Sequence, residues 1–246
     1  MKFATEAALC AAFLAWAAKT KGVTCYAEWA GWDILLVYAD GYQLGIQAKL
    51  RLNAEVIDQA APDKYGFDHD SPGPDFRAVL VPALNPLSGI AARLGLVVFY
   101  ARETGYPKSH IVFEPDLAER GHWRSGTWLD WNPAKRHELP PVLTDAVAGS
   151  PCPVTLTPWK LAAMDVLAEI QVKGTITTKR MRELGVNPSR WLSNCWLEYP
   201  PDGKRGLWIR GARCPRFDEQ HPTAYVLALE KATAESALPL PAPEER

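Results

Sequence analysis

The sequence lacks a long apolar run, a CxxC pair and a marked excess of charge of either sign. No stretch approaches the roughly 20 apolar residues that a bilayer-spanning helix needs, so no membrane is expected among its partners. The five cysteines, Cys10, Cys25, Cys152, Cys195 and Cys214, are odd in number and widely spaced. That spacing excludes a disulfide framework and a zinc knuckle, and predicts reduced thiols in a cytoplasmic protein. A net charge of −1 names no partner by itself. What is present is ordinary globular composition, 48% hydrophobic and 22% charged, which excludes a disordered chain. With 246 residues the chain can build one large domain or two modest ones. The Ala-rich run from Ala7 to Ala18 follows Glu6 and leads into a strand pattern without a cleavage site. It predicts a helix of the fold, not a secretory leader.

Charge is unevenly placed. Residues 1–118 carry 10 basic and 13 acidic side chains, whereas residues 155–233 carry 12 basic and 8 acidic. An acidic front and a basic back imply two parts with different roles. The composition changes between them. Residues 119–154 hold Trp123, Trp128 and Trp131 among Gly, Pro and charged residues, then a Pro-rich run. We read that segment as a linker or an irregular cover.

In the front part, Thr5 caps a helix reaching about Lys19. Val23–Trp29 and Trp32–Ala39 read as strands around an Ala30-Gly31 turn. Asp40-Gly41 signals a second hairpin turn before a third strand, Tyr42–Leu50. Alternation along that strand places Leu44, Ile46, Ala48 and Leu50 on a core face, and Gln43, Gly45, Gln47, Lys49 and Arg51 on a polar working face. A short helix at Ala54–Ala61, a strand at Phe76–Leu84, a helix at Pro86–Leu94 and a strand at Gly95–Ala101 follow. The order predicts an α/β domain over residues 1–118.

Polar residues in apolar strands need a partner or a function, and Glu28, Asp33, Gln47 and Lys49 are such residues. Asp33 heads one strand and Gln47-Ala48-Lys49 lies in the next. With the flanking helices, this pattern over residues 5–101 resembles the PD-(D/E)xK nuclease superfamily, the restriction-endonuclease-like fold of a mixed sheet flanked by helices. The resemblance implies a Mg²⁺- or Mn²⁺-dependent deoxyribonuclease. Asp33 and Gln47 would be metal ligands, Glu28 an extra acidic ligand, and Lys49 the catalytic lysine. Glu6 and Gln59 would be supporting residues in the adjoining helices. The chain departs from the common pattern in carrying Gln where that pattern has Glu. A neutral amide oxygen is the weaker ligand for a hard cation, and Glu28 supplies charge in its place.

Residues 155–234 read as three short helices followed by a basic hairpin, Trp196–Arg210, and a terminal helix, with a frayed tail at 235–246. This resembles a winged helix-turn-helix, a small α+β domain. Arg190, Trp191 and Asn194 lie on its expected recognition helix, Lys204 and Arg205 at the wing tip, and Arg210 on the wing. The implied partner is DNA, with a helix in the groove and basic side chains on phosphate. The whole has the character of a bacterial or phage protein, and a homodimer or a protein partner is also open. The same residues suit two other readings: a catalytically degenerate nuclease fold that binds DNA or regulates, and a protein-interaction adaptor. Asp63, Asp68, His69, Asp70 and Asp75 crowd one loop, which reads as a solvated turn or a second metal site.

Overall fold

A computed structural model describes residues 2–61, 71–105, 110–120, 128–150 and 155–237. The loop residues Asp63, Asp68, His69 and Asp70, together with Trp123 and Cys152, lie outside the described residues. The chain divides into two compact units, Met1–Thr155 and Leu156–Arg246. No described helix is long and apolar enough to cross a membrane.

The first unit is a mixed α/β structure. Helix α1 (Glu6–Ala17) starts at Thr5, whose hydroxyl accepts the Ala8 N–H at 3.1 Å. Strands β1 (Val23–Trp29), β2 (Trp32–Tyr38) and β3 (Gln43–Ala48) form an antiparallel meander. Its first turn has Ala30 and Gly31 at φ of 55° and 83°, the left-handed pair that a two-residue hairpin turn requires. Helix α2 (Ala54–Ala60) then carries the chain to β4 (Phe76–Val81), which lies parallel to β3. Helix α3 (Ser88–Arg93) leads to β5 (Val97–Thr104), parallel to β4, and β6 (His110–Glu114) returns antiparallel. The six strands stand in chain order. Strand β6 is additional to the strands expected from sequence.

Leu9 and Phe13 of α1 share a core with Ile34, Leu36, Leu44, Ile46 and Ala48. Phe13 meets Phe99 and Phe113 edge-on, each at 5.2 Å between ring centroids. Full burial of such side chains is worth about 1.5–3 kcal/mol apiece, so this face anchors α1 on the sheet. Leu44, Ile46 and Ala48 are buried as the alternation predicts, whereas Leu50, beyond the end of β3, is 38% exposed. The polar half is different. Gln43 is buried and exchanges two hydrogen bonds with the His137 backbone, at 2.8 and 3.0 Å. The Trp32 indole lies over Gly45, where a Cβ would run into the ring. Only the end of the strand, at Gln47 and Lys49, stays partly open.

The cover comes from residues 131–140, where Arg77 stacks on Trp131 at 4.2 Å. Trp128, just before them, packs edge-on against Phe76 and Phe99 on the α1 face. Asp75 is buried, accepts the Gln43 N–H at 2.7 Å and pairs with Arg136 at 2.8 Å. It is a structural anion, unlike the solvated or metal-binding acid its loop suggested.

The second unit begins with α4 (Pro158–Lys173), capped by Thr157. Strand β7 (Ile176–Thr177), helices α5 (Thr178–Glu183) and α6 (Pro188–Ser193), and strands β8 (Leu197–Glu198) and β9 (Leu207–Arg210) follow. Helices α7 (Phe217–Gln220) and α8 (Pro222–Ala237) complete it. The sheet order is β7-β9-β8, and α4 packs on α8. Its buried charge is Glu169, which accepts hydrogen bonds from Lys173 and Arg180, both at 2.8 Å. Burial alone would raise the Glu169 carboxyl, but the two cations outweigh it and hold it below the usual glutamate range. A depressed carboxylate stabilises the fold above its unfolded pKa, and that contribution is lost as pH falls through the folded value.

Three outcomes follow from this packing. Arg180→Ala should cost roughly 3 kcal/mol in urea unfolding, because it strips a partner from a buried charge. The acid-side loss of stability below the usual glutamate range should shrink in Glu169→Gln. Gly45→Ala should cost about 1–3 kcal/mol by forcing Trp32 off its seat, read as a lower melting temperature.

Candidate functional site

The polar residues singled out by the sequence gather where β1, β2 and β3 meet the first turn of α1. Asp33 stands one step beyond the paired residues Ile34 and Ile46 of β2 and β3. Its Oδ2 accepts the backbone N–H of Ala48 at 2.7 Å, which fixes the carboxylate across the strand pair. Gln47 Nε2 donates to the Gly31 carbonyl at 2.7 Å, tying that side chain to the first hairpin turn. Its carbonyl oxygen is the atom able to face a ligand. Lys49 follows β3 and continues the pairing with β4 by donating its N–H to Leu80. Its ammonium lies 3.6 Å from Glu6 Oε1 at the start of α1. Each member of that pair is about a third exposed, so the contact contributes at most about 1 kcal/mol.

Glu28 is held in an unusual way. Its φ of 51° puts a non-glycine residue in the left-handed region, a costly conformation that the surroundings must enforce. A segment more than 100 residues further on supplies the restraint. Gly149 donates its N–H to Glu28 Oε1 at 2.8 Å, and Thr144 donates its hydroxyl to the Ala27 carbonyl at 2.5 Å. Gly149 has φ of 70°, and a Cβ there would come within 2.9 Å of both Cys10 Sγ and the Glu6 carbonyl carbon. Only glycine lets the backbone approach α1 this closely. Sequence reasoning missed this segment, since a single Gly in a Pro-rich run carries no signal of a partner so distant in the chain.

The electrostatics show how close the acids lie. Burial pushes Asp33 upward; the Ala48 N–H opposes this, Glu6 adds to it and Lys49 opposes it. Burial also pushes Glu28 upward, the Gly149 N–H opposes, and the Asp33 charge adds to the rise. The Cys10 thiol rises through burial first, then through the charges of Asp33, Glu28 and Glu6. Three carboxylates thus act on one buried sulfur, and Cys10 is no nucleophile. Gln59 is exposed on α2 and makes no bond to these acids among the described residues.

The ion that the family resemblance implies is Mg²⁺ or Mn²⁺. Oxygen donors suit it, and two crowded, desolvated carboxylates are what a cation would relieve. Among the described residues no three His, Cys, Asp or Glu side chains stand together as a cage for an ion. Any ion held by Asp33, Glu28 and the Gln47 carbonyl would have one or two carboxylate ligands and would keep several waters, a manner of binding common for Mg²⁺.

In the second unit Arg190 and Asn194 are exposed on α6 and at its C-terminal end, and Lys204 and Arg205 are exposed in the β8–β9 hairpin. Two expected contacts are corrected. Trp191 is only 1% exposed and packs edge-on against Trp196, so its ring belongs to the core and cannot reach a base. Arg210 makes two hydrogen bonds to Asp218, at 2.9 and 3.0 Å, and another to the Pro215 carbonyl. Its guanidinium is spent within the unit.

No protein-family model, no curated protein and no solved structure matches this chain.

Raised carboxylates cost stability whenever they are ionised above their folded pKa. Asp33→Asn keeps an acceptor for the Ala48 N–H and removes that cost. We expect it to raise stability at neutral pH by roughly 0.5–2 kcal/mol in denaturant titration, the usual trade at a functional site.

Proposed function

We propose that the chain is a divalent-metal-dependent deoxyribonuclease, with the first unit hydrolysing phosphodiester bonds and the second holding DNA as a winged helix. The observation that carries the reading is the placement of Asp33, Gln47 and Lys49 at the open end of β2 and β3, with Glu28 and Glu6 in their field. The strand order lends support: an antiparallel meander whose third strand gains a parallel neighbour through α2 is the order that the restriction-endonuclease-like resemblance implies. In the second unit the succession of α4, β7, α5, α6 and the β8–β9 hairpin suits a winged helix.

Asp33, Glu28 and the Gln47 carbonyl would hold the ion. When bound, it supplies an activated water and a positive charge beside the scissile phosphate. Asp33 is kept in place by the Ala48 N–H and Glu28 by the Gly149 N–H, so both carboxylates are oriented before any ligand arrives. Lys49 carries the one cation of the group. Leaving Glu6, it can face the phosphate as negative charge builds on it. Arg190, Asn194, Lys204 and Arg205 would contact the DNA backbone and groove.

A second reading is favoured by a specific observation. Each acid already accepts a backbone N–H, and Lys49 is engaged with Glu6. A front unit with this wiring could be a degenerate nuclease fold that serves DNA binding or regulation, or an adaptor for another protein.

Incubating the protein with plasmid and with linear single-stranded DNA, with Mg²⁺ or Mn²⁺, separates the two. The nuclease reading expects cleavage that falls by about 100-fold or more in Lys49→Ala, the scale of losing one charge-stabilising donor. Wild-type activity no greater than that of Lys49→Ala on every substrate removes the catalytic claim.

A further inference from the structure

The β8–β9 hairpin carries a feature that a purely electrostatic wing does not need. Tyr199 is 58% exposed. Among the described residues Trp159, at 37%, is the one other aromatic side chain that is exposed. Trp159, Trp191, Trp196 and Phe217 pack on one another in a continuous cluster. Tyr199 stands outside that cluster, on the rim of the hairpin. The register of β8 and β9 pairs Leu197 with Arg210 and Glu198 with Ile209, which sets Tyr199 opposite Trp208. Their ring centroids are 4.5 Å apart and tilted by 31°. One face of the tyrosine ring is thus backed by an indole, and the ring is still largely open to solvent.

Its setting is basic and stiff. Pro200 and Pro201 follow directly, fixing φ at two consecutive positions and holding the loop with little entropy left to lose. Gly203 and Gly206, with φ of 68° and 83°, turn the tip and present Lys204 and Arg205. The acid at the tip, Asp202, pairs with Lys204 at 3.2 Å, but both side chains are more than half exposed, so the pair is loose and exchangeable. Strand alternation sends Glu198 to the face opposite Tyr199, where its carboxylate accepts the Ala212 N–H at 2.9 Å. The hairpin that carries Tyr199 therefore presents Lys204 and Arg205 at its exposed tip, and the Glu198 carboxylate is engaged away from the ring.

We infer that this hairpin is a stacking platform for an unpaired base of single-stranded DNA. Tyr199, backed by Trp208, receives the base, and Lys204 and Arg205 take the adjoining phosphates. An open aromatic ring beside paired cations is the chemistry by which unpaired strands are held without sequence preference. The inference rests on the reading that the second unit binds DNA, and it names the form of DNA that the hairpin takes. It assigns Tyr199 and Trp208, which the groove-binding reading leaves without a role.

The test uses fluorescence anisotropy of the full chain with a labelled oligothymidylate of about 15 nucleotides, a duplex hairpin and an oligouridylate of equal length. Tyr199→Ala should weaken oligothymidylate binding roughly tenfold, leave the duplex unchanged, and be rescued by Tyr199→Phe. Lys204→Ala with Arg205→Ala, on the exposed tip, should lower the logarithmic salt slope on the single strand by about 1.4. This second variant decides the matter if Tyr199→Ala fails to fold. Unchanged oligothymidylate affinity in Tyr199→Ala, or an unchanged salt slope in the double variant, overturns the inference. Wild-type binding of the duplex but not of the single strand overturns it and leaves the DNA-binding reading standing. Binding of neither overturns both. Tighter binding of oligouridylate than of oligothymidylate overturns the assignment to DNA.

Discussion

The hydrogen bond from Ala48 N–H to Asp33 Oδ2 is the contact on which the acidic end of the first unit depends. It places a carboxylate at the mouth of two strands and keeps it there despite burial and neighbouring acids that disfavour its charge. Were that bond absent, Asp33 would relax toward water or take up a proton, and Gln47 and Lys49 would face an empty corner. The bond forms only because β2 and β3 pair in one register, and that register is pinned by the Ile34, Leu36, Leu44 and Ile46 side chains that α1 covers. A polar site is thus held by an apolar face.

The restraint on Glu28 extends this logic. A left-handed residue at the end of an edge strand is costly, and here it is stabilised by a backbone donor from Gly149 and by the Thr144 hydroxyl on its neighbour Ala27. Residues 128–150 thereby take on two tasks. They cover the sheet, with Trp131 and the His137 backbone on the second face and Trp128 against the core beneath α1, and they finish the acidic corner. A segment so deeply wired is part of the first unit's structure, and truncating it would remove a wall of the site.

Much of this was legible in the chain. The order of helices and strands up to β5 followed from caps, turn pairs and alternation, and the burial of Leu44, Ile46 and Ala48 followed from the period of two in β3, though Leu50 escaped it. Gln47 and Lys49 remain open as that period suggests, and Asp33 and Glu28 converge near one turn. The misreadings share a cause. Gln43 and Gly45 read as solvent-facing because alternation reports polarity and says nothing of what covers a face. Trp191 read as a base-contacting residue, yet α6 buries it against Trp196. Arg210 read as a phosphate contact, yet Asp218 lies eight residues on and claims it. Asp75 read as one acid among many in a loop, yet Arg136 and the Gln43 N–H make it a buried anchor. In each case a contact distant in sequence or round a corner decided the role, and no local pattern encodes such contacts.

The central claim is that Asp33, Glu28 and Gln47 form a cation site of few protein ligands. Isothermal calorimetry of the intact chain with Mn²⁺ at neutral pH tests it without reference to any nucleic acid. The claim predicts saturable binding by the wild type that weakens at least tenfold in Asp33→Asn, in line with the usual cost of losing a charged ligand oxygen. Absence of Mn²⁺ binding by the wild type, or binding that Asp33→Asn leaves intact, would contradict it.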